Sequence, residues 1–386
     1  MTAPAILGGL AFLSLALLLW QWVTGRRFPL HHAIDDRSFV PPISVLKPLK
    51  GVDSETGTCL HSWLEQEYPG DIEFLFCAES DDDAAIELVE SLQKDSAQNI
   101  QLLRLDSPAG PNVKVSKLIL LADRAKHEVF CLSDADTCVS KDFLIQLVQP
   151  LRDDKVGVAN SCYLAANPRN AAMWWEAIGI NADFWSQVLQ AKDLGPMDFA
   201  LGAVMAMRRE TLKDIGGFEA VQEFLADDFQ IGQRIVASGR RIELLPLVAE
   251  CRDPEFGWRR AWQHQVRWAR TIRGCRPVAY FFSLLNNTTL WLLLWLAAPV
   301  PPMGCLVAAG LLLRVLVAAN LMRRLTGHCR HVPWLWLVWI KDLFGVLLWL
   351  LAFIGNTVIW RGTEYRVLSG GRLQSRDDSD PSKSAG

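Results

Sequence analysis

Apolar residues fall into two regimes along this chain. Between residues 40 and 255 they come in short bursts separated by polar stretches, while before and after they run almost unbroken. Within the first regime, Ile43-Ser44-Val45-Leu46 is a short strand-like run after Pro41-Pro42, and Cys59 to Glu67 has helical spacing. Ile72–Cys77 predicts a second strand and Asp83–Lys94 a helix whose acidic opening suits an N-terminus. A strand over Ile100–Leu105, a helix over Val115–Arg124 and a strand over Val129–Leu132 follow. Alternation at this spacing predicts an α/β domain, with a mostly parallel sheet covered by helices on both faces. Ligands of such sheets bind beyond the carboxyl ends of the strands.

The long apolar runs predict membrane segments. Ala3 to Val23 carries no charge and is long enough to cross a bilayer. A cleaved signal peptide would carry positive charge before its apolar run; here Arg26, Arg27 and Arg37 come after it. The pattern therefore predicts an uncleaved anchor with the following domain in the cytoplasm. Val278–Asn320, interrupted by Pro299, Pro301 and Pro302, reads as two segments joined by a tight turn. Val332–Trp360 contains Lys341 and Asp342, which would split it into an in-plane piece, Pro333–Ile340, and a span, Leu343–Trp360. Two basic clusters, Arg323/Arg324/Arg330 and Arg361/Arg366/Arg372, cannot both face the cytoplasm if three full crossings follow the domain, so one stretch is expected to be re-entrant or in-plane. The expected organisation is an anchor over 1–25, a cytoplasmic domain over 40–255, a basic interfacial helix over 256–277, a membrane region over 278–360 and a cytoplasmic tail over 361–386.

Charge sharpens this division. Net charge is only -3, yet no Asp or Glu occurs from Phe256 to Lys341, while carboxylates crowd between Asp35 and Glu255. Many of the 16 Trp flank apolar runs, as at a membrane–water boundary. Nine Cys without a Cys-x-x-Cys pair argue against a disulfide scaffold or zinc site and for free buried thiols. No Gly-x-Gly-x-x-Gly follows the first strand and no Walker sequence occurs, which disfavours dinucleotide and P-loop folds.

Four constellations carry possible chemistry. Ser80-Asp81-Asp82-Asp83 follows the second strand; it is a helix-capping cluster or a contact for a base or ribose. Ser133-Asp134-Ala135-Asp136 follows a buried strand, and two carboxylates so spaced can share Mg²⁺ or Mn²⁺, hard cations that bridge to phosphate. Leu225-Ala226-Asp227-Asp228-Phe229 is either a helix start or the source of a general base. Trp258–Arg276, with His264, Arg267, Trp268, Arg270 and Arg273, is cationic and aromatic. It suits an interfacial helix, and its guanidinium groups suit a diphosphate. Basic surface this close to membrane spans excludes nucleic acid as the expected partner.

In this order the constellations resemble the family-2-like glycosyltransferases, most closely the ceramide glucosyltransferase family. "SVLKPLKGVD", "DDDAAI", "NVKVSKL", "SDAD", "LGAVMAMRRETLKDIGGF", "LADDF", "HQVRW" and "WRGTEYR" each match a family segment, spanning Ile43 to Arg366. His264 stands where the family has Gln or Arg, and "HQVRWARTIR" is closer to bacterial members, including glycosyltransferases of hopanoid biosynthesis. The resemblance implies a GT-A fold, a multi-pass protein of a bacterial inner membrane, and inverting transfer of glucose or N-acetylglucosamine from a UDP-sugar to a lipid hydroxyl, on ceramide or a hopanoid polyol. It implies that Asp83 holds the uridine, that Lys114, Asp134, Arg267 and Trp268 bind the donor, that Asp134 and Asp136 hold Mg²⁺ or Mn²⁺, and that Asp228 is the catalytic base. A processive polysaccharide synthase would have a longer membrane region and Gln-x-x-Arg-Trp. A non-enzymatic scaffold would be expected to have lost these carboxylates.

Overall fold

A computed structural model describes residues 3–299, 302, 304–360 and 363–375. Pro301, Arg361 and the chain beyond residue 375 lie outside the described residues. The chain opens with helix α1 (Ala3–Arg27), followed by β1 (Ile43–Pro48), α2 (Thr56–Leu64), β2 (Ile72–Glu79), α3 (Asp83–Asp95), β3 (Asn99–Leu105), α4 (Val113–Arg124) and β4 (Val129–Ser133). These elements match the predicted alternation, with boundaries shifted by a few residues. A two-residue β5 (Thr137–Cys138), α5 (Phe143–Leu147), β6 (Val156–Ala165) and α6 (Ala171–Ile178) come next. A π-helical turn over Gly179–Phe184 leads into α7 (Trp185–Leu194). Then follow β7 (Val204–Arg208), α8 (Arg209–Asp214), α9 (Asp227–Ala237) and β8 (Arg241–Cys251).

The strands form one sheet in the order β3-β2-β1-β4-β7-β6-β8-β5. Pairing is parallel from β3 to β4 and between β6 and β8, and antiparallel on both sides of β7 and at β5. Strands β1 and β4 are buried along their whole length, as expected of a sheet covered on both faces. One apolar core packs α4 and α7 on one face, and a second packs α2, α3 and α5 on the other. The antiparallel β7 matters for the site: its first residue, Val204, pairs with Ser133, the last of β4. The loop before β7 therefore lies beside the loop after β4.

The C-terminal region holds α10 (Trp258–Cys275), α11 (Pro277–Phe282), α12 (Thr288–Leu296), α13 (Gly304–Thr326) and α14 (Leu337–Phe353). Helices α1 and α13 are each long and apolar enough to cross a membrane, and the stretch from Pro277 to Leu296, bent by 56°, is a third candidate if counted as one broken span. Asn287 sits at that bend and caps α12 through Leu290 N–H. Arg324 donates to the carbonyls of Gly25 and Phe28, so the basic ends of α1 and α13 meet.

Two expectations are corrected. Lys341 and Asp342 do not split their segment, because both lie within the continuous helix α14. Their charges are met internally: Asp342 accepts from Arg314 Nε (2.9 Å) and Thr289 Oγ1 (2.6 Å), and Asp183 of the π-helical turn pairs with Arg314 (3.0 Å) and with Lys341. A helix need not break where its ions are already paired. The apolar run also stops being helical before Trp360. Thr357–Trp360 is β9, which pairs with β10 (Thr363–Val367), itself paired with β11 (Leu373–Ser375). The boundary expected between residues 360 and 361 thus falls inside a small antiparallel sheet. Of the nine free thiols, five are buried, while Cys305 and Cys329 are exposed.

Candidate active site

Strand β4 ends in Ser133, and the chain turns sharply there because Thr137 N–H and Oγ1 both bond to Asp134 O. Lys47, fully buried at the end of the adjacent β1, supports this turn from below by donating to Asp134 O (2.9 Å) and Ser133 Oγ (3.1 Å). Burial lowers the Lys47 pKa to about 8. The turn holds Asp134 and Asp136 at the carboxyl end of a parallel strand, where this fold class binds ligands.

Three further elements converge on it. Asn112 caps α4 through Val115 N–H, and its amide donates to Phe224 O (2.7 Å), tying the start of α4 to the loop before α9. Lys114 consequently lies between two carboxylates, 2.9 Å from Asp134 Oδ1 and 3.3 Å from Asp227 Oδ2. Burial opposes its charge, but Asp134 and Asp227 outweigh burial and raise its pKa. Asp228 is the next residue of α9, and its Oδ1 accepts from Phe229 N–H (2.8 Å). Burial first, and then the charge of Asp227, push the Asp228 pKa up to about 6, with Lys114 opposing. The third element is the loop before β7, where a Cβ on Gly202 would lie 2.8 Å from Asp228 Oδ2. Only glycine leaves that oxygen open.

Asp136 is raised further, to about 7, by burial and then by Asp134 and Asp253. Its Oδ1 is buried without a hydrogen-bond partner. A buried carboxylate oxygen in that condition wants a proton or a cation. Among the described residues no group of three His, Cys, Asp or Glu is placed to hold a metal ion. Asp134 and Asp136 provide two carboxylates, and Mg²⁺ or Mn²⁺ ordinarily completes its shell with water and substrate phosphate oxygens. The pair thus fits a cation shared with a diphosphate.

The other expected site residues are placed differently. Asp83 is exposed on the first turn of α3, beyond β2, and β1 separates β2 from β4. Two strand spacings amount to about 9–10 Å, a distance that one nucleoside can bridge. Its neighbour Asp82 is structural: it caps α3 through Ala85 N–H and accepts from Gly51 N–H. Arg267 and Trp268 lie on α10. Trp268 packs on Phe184 of the π-helical turn (5.8 Å), which packs on Tyr163 (5.3 Å). Tyr163 is raised well above the usual phenol range, mainly by burial, with the charges of Asp228 and Asp134 contributing. The aromatic series therefore links the α10 motif to the carboxylates. Lys47, Gly202 and Asp253 were not singled out in the sequence, whereas Asn112 opens the matched segment "NVKVSKL".

The sequence profile described as "Glycosyl transferase family 21" matches residues 6–373. The chain belongs to glycosyl transferase family 21. This family 21 chain is a glycosyltransferase, and the resemblance to the ceramide glucosyltransferase family holds. It is 21% identical to ceramide glucosyltransferase 1 of Caenorhabditis elegans over 385 positions, covering 91% of this chain and 77% of that one. It is 28% identical to the ceramide glucosyltransferase of Komagataella phaffii over 160 positions, covering 37% of this chain and 31% of the relative. In fold, the family 21 chain resembles a mannosyltransferase of Pyrobaculum calidifontis solved in complex with GDP-Man and Mn²⁺. The TM-score is 0.54 at 20% identity, covering 89% of this chain and 98% of that one. The GT-A expectation is met.

Proposed function

We propose that this protein transfers a single hexose, glucose or N-acetylglucosamine, from a UDP-sugar to a hydroxyl of a membrane lipid, ceramide or a hopanoid polyol, with inversion. The observation that carries this reading is the pairing of Asp228, a carboxylate with an unusually high pKa, with the Lys114–Asp134–Asp136 group, on a domain joined to apolar helices. In the reaction Asp228 Oδ2 takes the proton from the acceptor hydroxyl while the oxygen forms its bond to the anomeric carbon. The bond from that carbon to the diphosphate breaks on the opposite face, and the leaving diphosphate gains negative charge. Lys114 meets part of that charge, and Arg267 supplies a two-pronged guanidinium contact. Asp134 and Asp136 would hold Mg²⁺ or Mn²⁺, which when bound adds Lewis-acid stabilisation to the same oxygens. Asp83 holds the uridine side of the donor, and Trp268 completes the donor site beside Arg267. Arg26, Arg27, Arg323 and Arg324 gather where α1 and α13 meet, which supports a cytoplasmic position for the domain by the positive-inside tendency.

The test is an assay of the purified protein in nanodiscs with radiolabelled UDP-glucose and UDP-N-acetylglucosamine, read both by lipid extraction and by polymer precipitation. Label in the lipid phase that disappears on Asp228→Asn supports the reading. Label in a polymer precipitate points to the processive synthase, and no incorporation with any donor points to a scaffold; either result overturns it.

A further inference from the structure

Glu176, on α6, is the buried charged group that this mechanism leaves unused. It is 5% exposed. Its Oε1 accepts from His264 Nδ1 and from Gln265 Nε2 (3.2 Å), both on α10, while its Oε2 is buried with no hydrogen-bond partner. A buried carboxylate oxygen left unpaired costs free energy until a donor reaches it. The pair therefore offers a ligand the unpaired Oε2 of Glu176 as an acceptor.

Its position is informative. His264 packs against Trp268 (5.0 Å), the residue linked through Phe184 and Tyr163 to the carboxylate group. From the other side Asp253 senses both Glu176 and His264, and in turn raises Asp136. The pair is thus connected to the carboxylate group through Trp268, Phe184 and Tyr163 on one side and through the charge of Asp253 on the other. Beside it, Trp175 and Trp262 pack on Phe344 of α14 at 6.1 Å each, forming an apolar wall that continues into the apolar C-terminal helices. An acceptor arriving along that wall would bring its head group to Glu176 and His264 before its reacting hydroxyl met Asp228.

We infer that Glu176 and His264 form an acceptor subsite that receives a second hydrogen-bond donor of the lipid head group, beside the hydroxyl that is glycosylated. This rests on the lipid-acceptor reading and deepens it. The ligand class is a lipid alcohol with a neighbouring amide N–H or hydroxyl; a simple fatty alcohol has no such donor. Glu176 and His264 act here as specificity determinants and take no part in bond making.

The experiment compares wild type, Glu176→Gln, Glu176→Ala and His264→Gln on three probes: N-hexanoyl sphingosine, a lipid 1,2-diol and a monohydroxy fatty alcohol of matched length. Hydrogen bonds to a charged group carry a factor of about ten to a hundred. The wild type is expected to prefer one or both donor-bearing probes by at least about tenfold in kcat/KM, the two arms distinguishing amide from hydroxyl. Glu176→Ala removes that preference through KM for the acceptor, while the fatty alcohol rate, donor affinity and acceptor-free hydrolysis of the UDP-sugar stay within about twofold. Glu176→Gln keeps its packing and loses most of the preference. A fall on all three probes together would show that the pair merely braces α6 against α10, and unchanged acceptor KM values would show that it contacts nothing; either overturns the inference. If the wild type glycosylates none of the probes, the lipid reading itself has failed, a result separable because donor hydrolysis is measured alongside.

Discussion

Gly371 is the position at which the small C-terminal sheet can be uncoupled from Asp227 and Asp228, the carboxylates of the proposed site. The segment around it grips the loop leading into α9: Leu225 N–H bonds to Gly371 O (3.1 Å), Leu373 N–H to Glu223 O (2.7 Å) and Gln230 Nε2 to Gly370 O (2.9 Å). At about 1 kcal/mol net each, these bonds bias the loop by about 3 kcal/mol, a factor of about a hundred in the population holding Asp227 and Asp228 in place. Gly371 has φ +84°, and a Cβ there would lie 2.9 Å from Cys275 Sγ on α10. Gly371→Ala is thus both strained and in collision, and we expect kcat to fall about ten- to a hundredfold with the donor Kd little changed. Gly370→Ala, at φ +73° but with no atom within 4 Å of its Cβ, carries strain alone and should cost less than about tenfold. Adding Cys275→Ala to Gly371→Ala removes the collision and should restore the rate to the level of Gly370→Ala. The assay is single-hexose transfer at saturating donor and acceptor, with calorimetric donor binding in parallel. Wild-type kcat in Gly371→Ala would refute the coupling, and so would equal losses at the two glycines.

The remaining expectations concern the cleft. Asp228→Asn should lower kcat by about 10²–10⁴-fold while donor affinity is kept, measured by turnover and calorimetry; a near wild-type rate would shift the base assignment to Asp227. Because the Asp228 pKa is about 6 and the base must be ionised, log kcat should be flat above pH 7 and fall with a slope approaching one below pH 6, a limb absent from Asp228→Asn. Mn²⁺ should raise Tm more at pH 8 than at pH 6, since Asp136, with a pKa of about 7, must lose its proton to bind it; an equal rise in Asp136→Ala would place the ion elsewhere. Arg267→Lys should cripple transfer whereas Arg259→Lys, on an exposed side chain, should not; equal mild losses would reduce Arg267 to one more basic surface residue.

The first half of the sheet was legible because β1 to β4 are apolar bursts, each cut off by a polar turn. The second half was not read. Strand β8, Arg241–Cys251, mixes Glu243, Pro246 and Glu250 with apolar residues, and its register against β6 shifts between Ser161 and Cys162, so neither periodicity is clean. The tail strands were hidden because only Gly355-Asn356-Thr357 separates the apolar run of α14 from apolar Val358–Trp360, a break too short to set β9 apart from a continuing span. Carboxylates at strand ends and helix starts could be named because their signals are local. Gly202, Asp253 and Glu176 could not: each reaches the cleft through an antiparallel insertion or helix packing, which leaves no mark in neighbouring sequence. His264 drew notice as a departure from the Gln or Arg of its relatives, and its contact with Glu176 gives that departure a physical partner.

The ion pairs joining Asp183, Arg314, Lys341 and Asp342 bear on how the protein is made. Arg314 lies in the middle of α13, where an arginine costs about 2.5–3.5 kcal/mol to insert. Asp183 is synthesised 131 residues before Arg314, and Asp342 28 residues after it. Of the two acids, Asp183 thus precedes α13 in the chain and Asp342 follows it, so Arg314 is fully paired only when both the π-helical turn and α14 are in place. A chain in which the π-helical turn fails to form keeps Arg314 paired to Asp342 alone and leaves Lys341 without Asp183, so the folding of the domain and the docking of α13 on α14 report on each other through one cluster of charges.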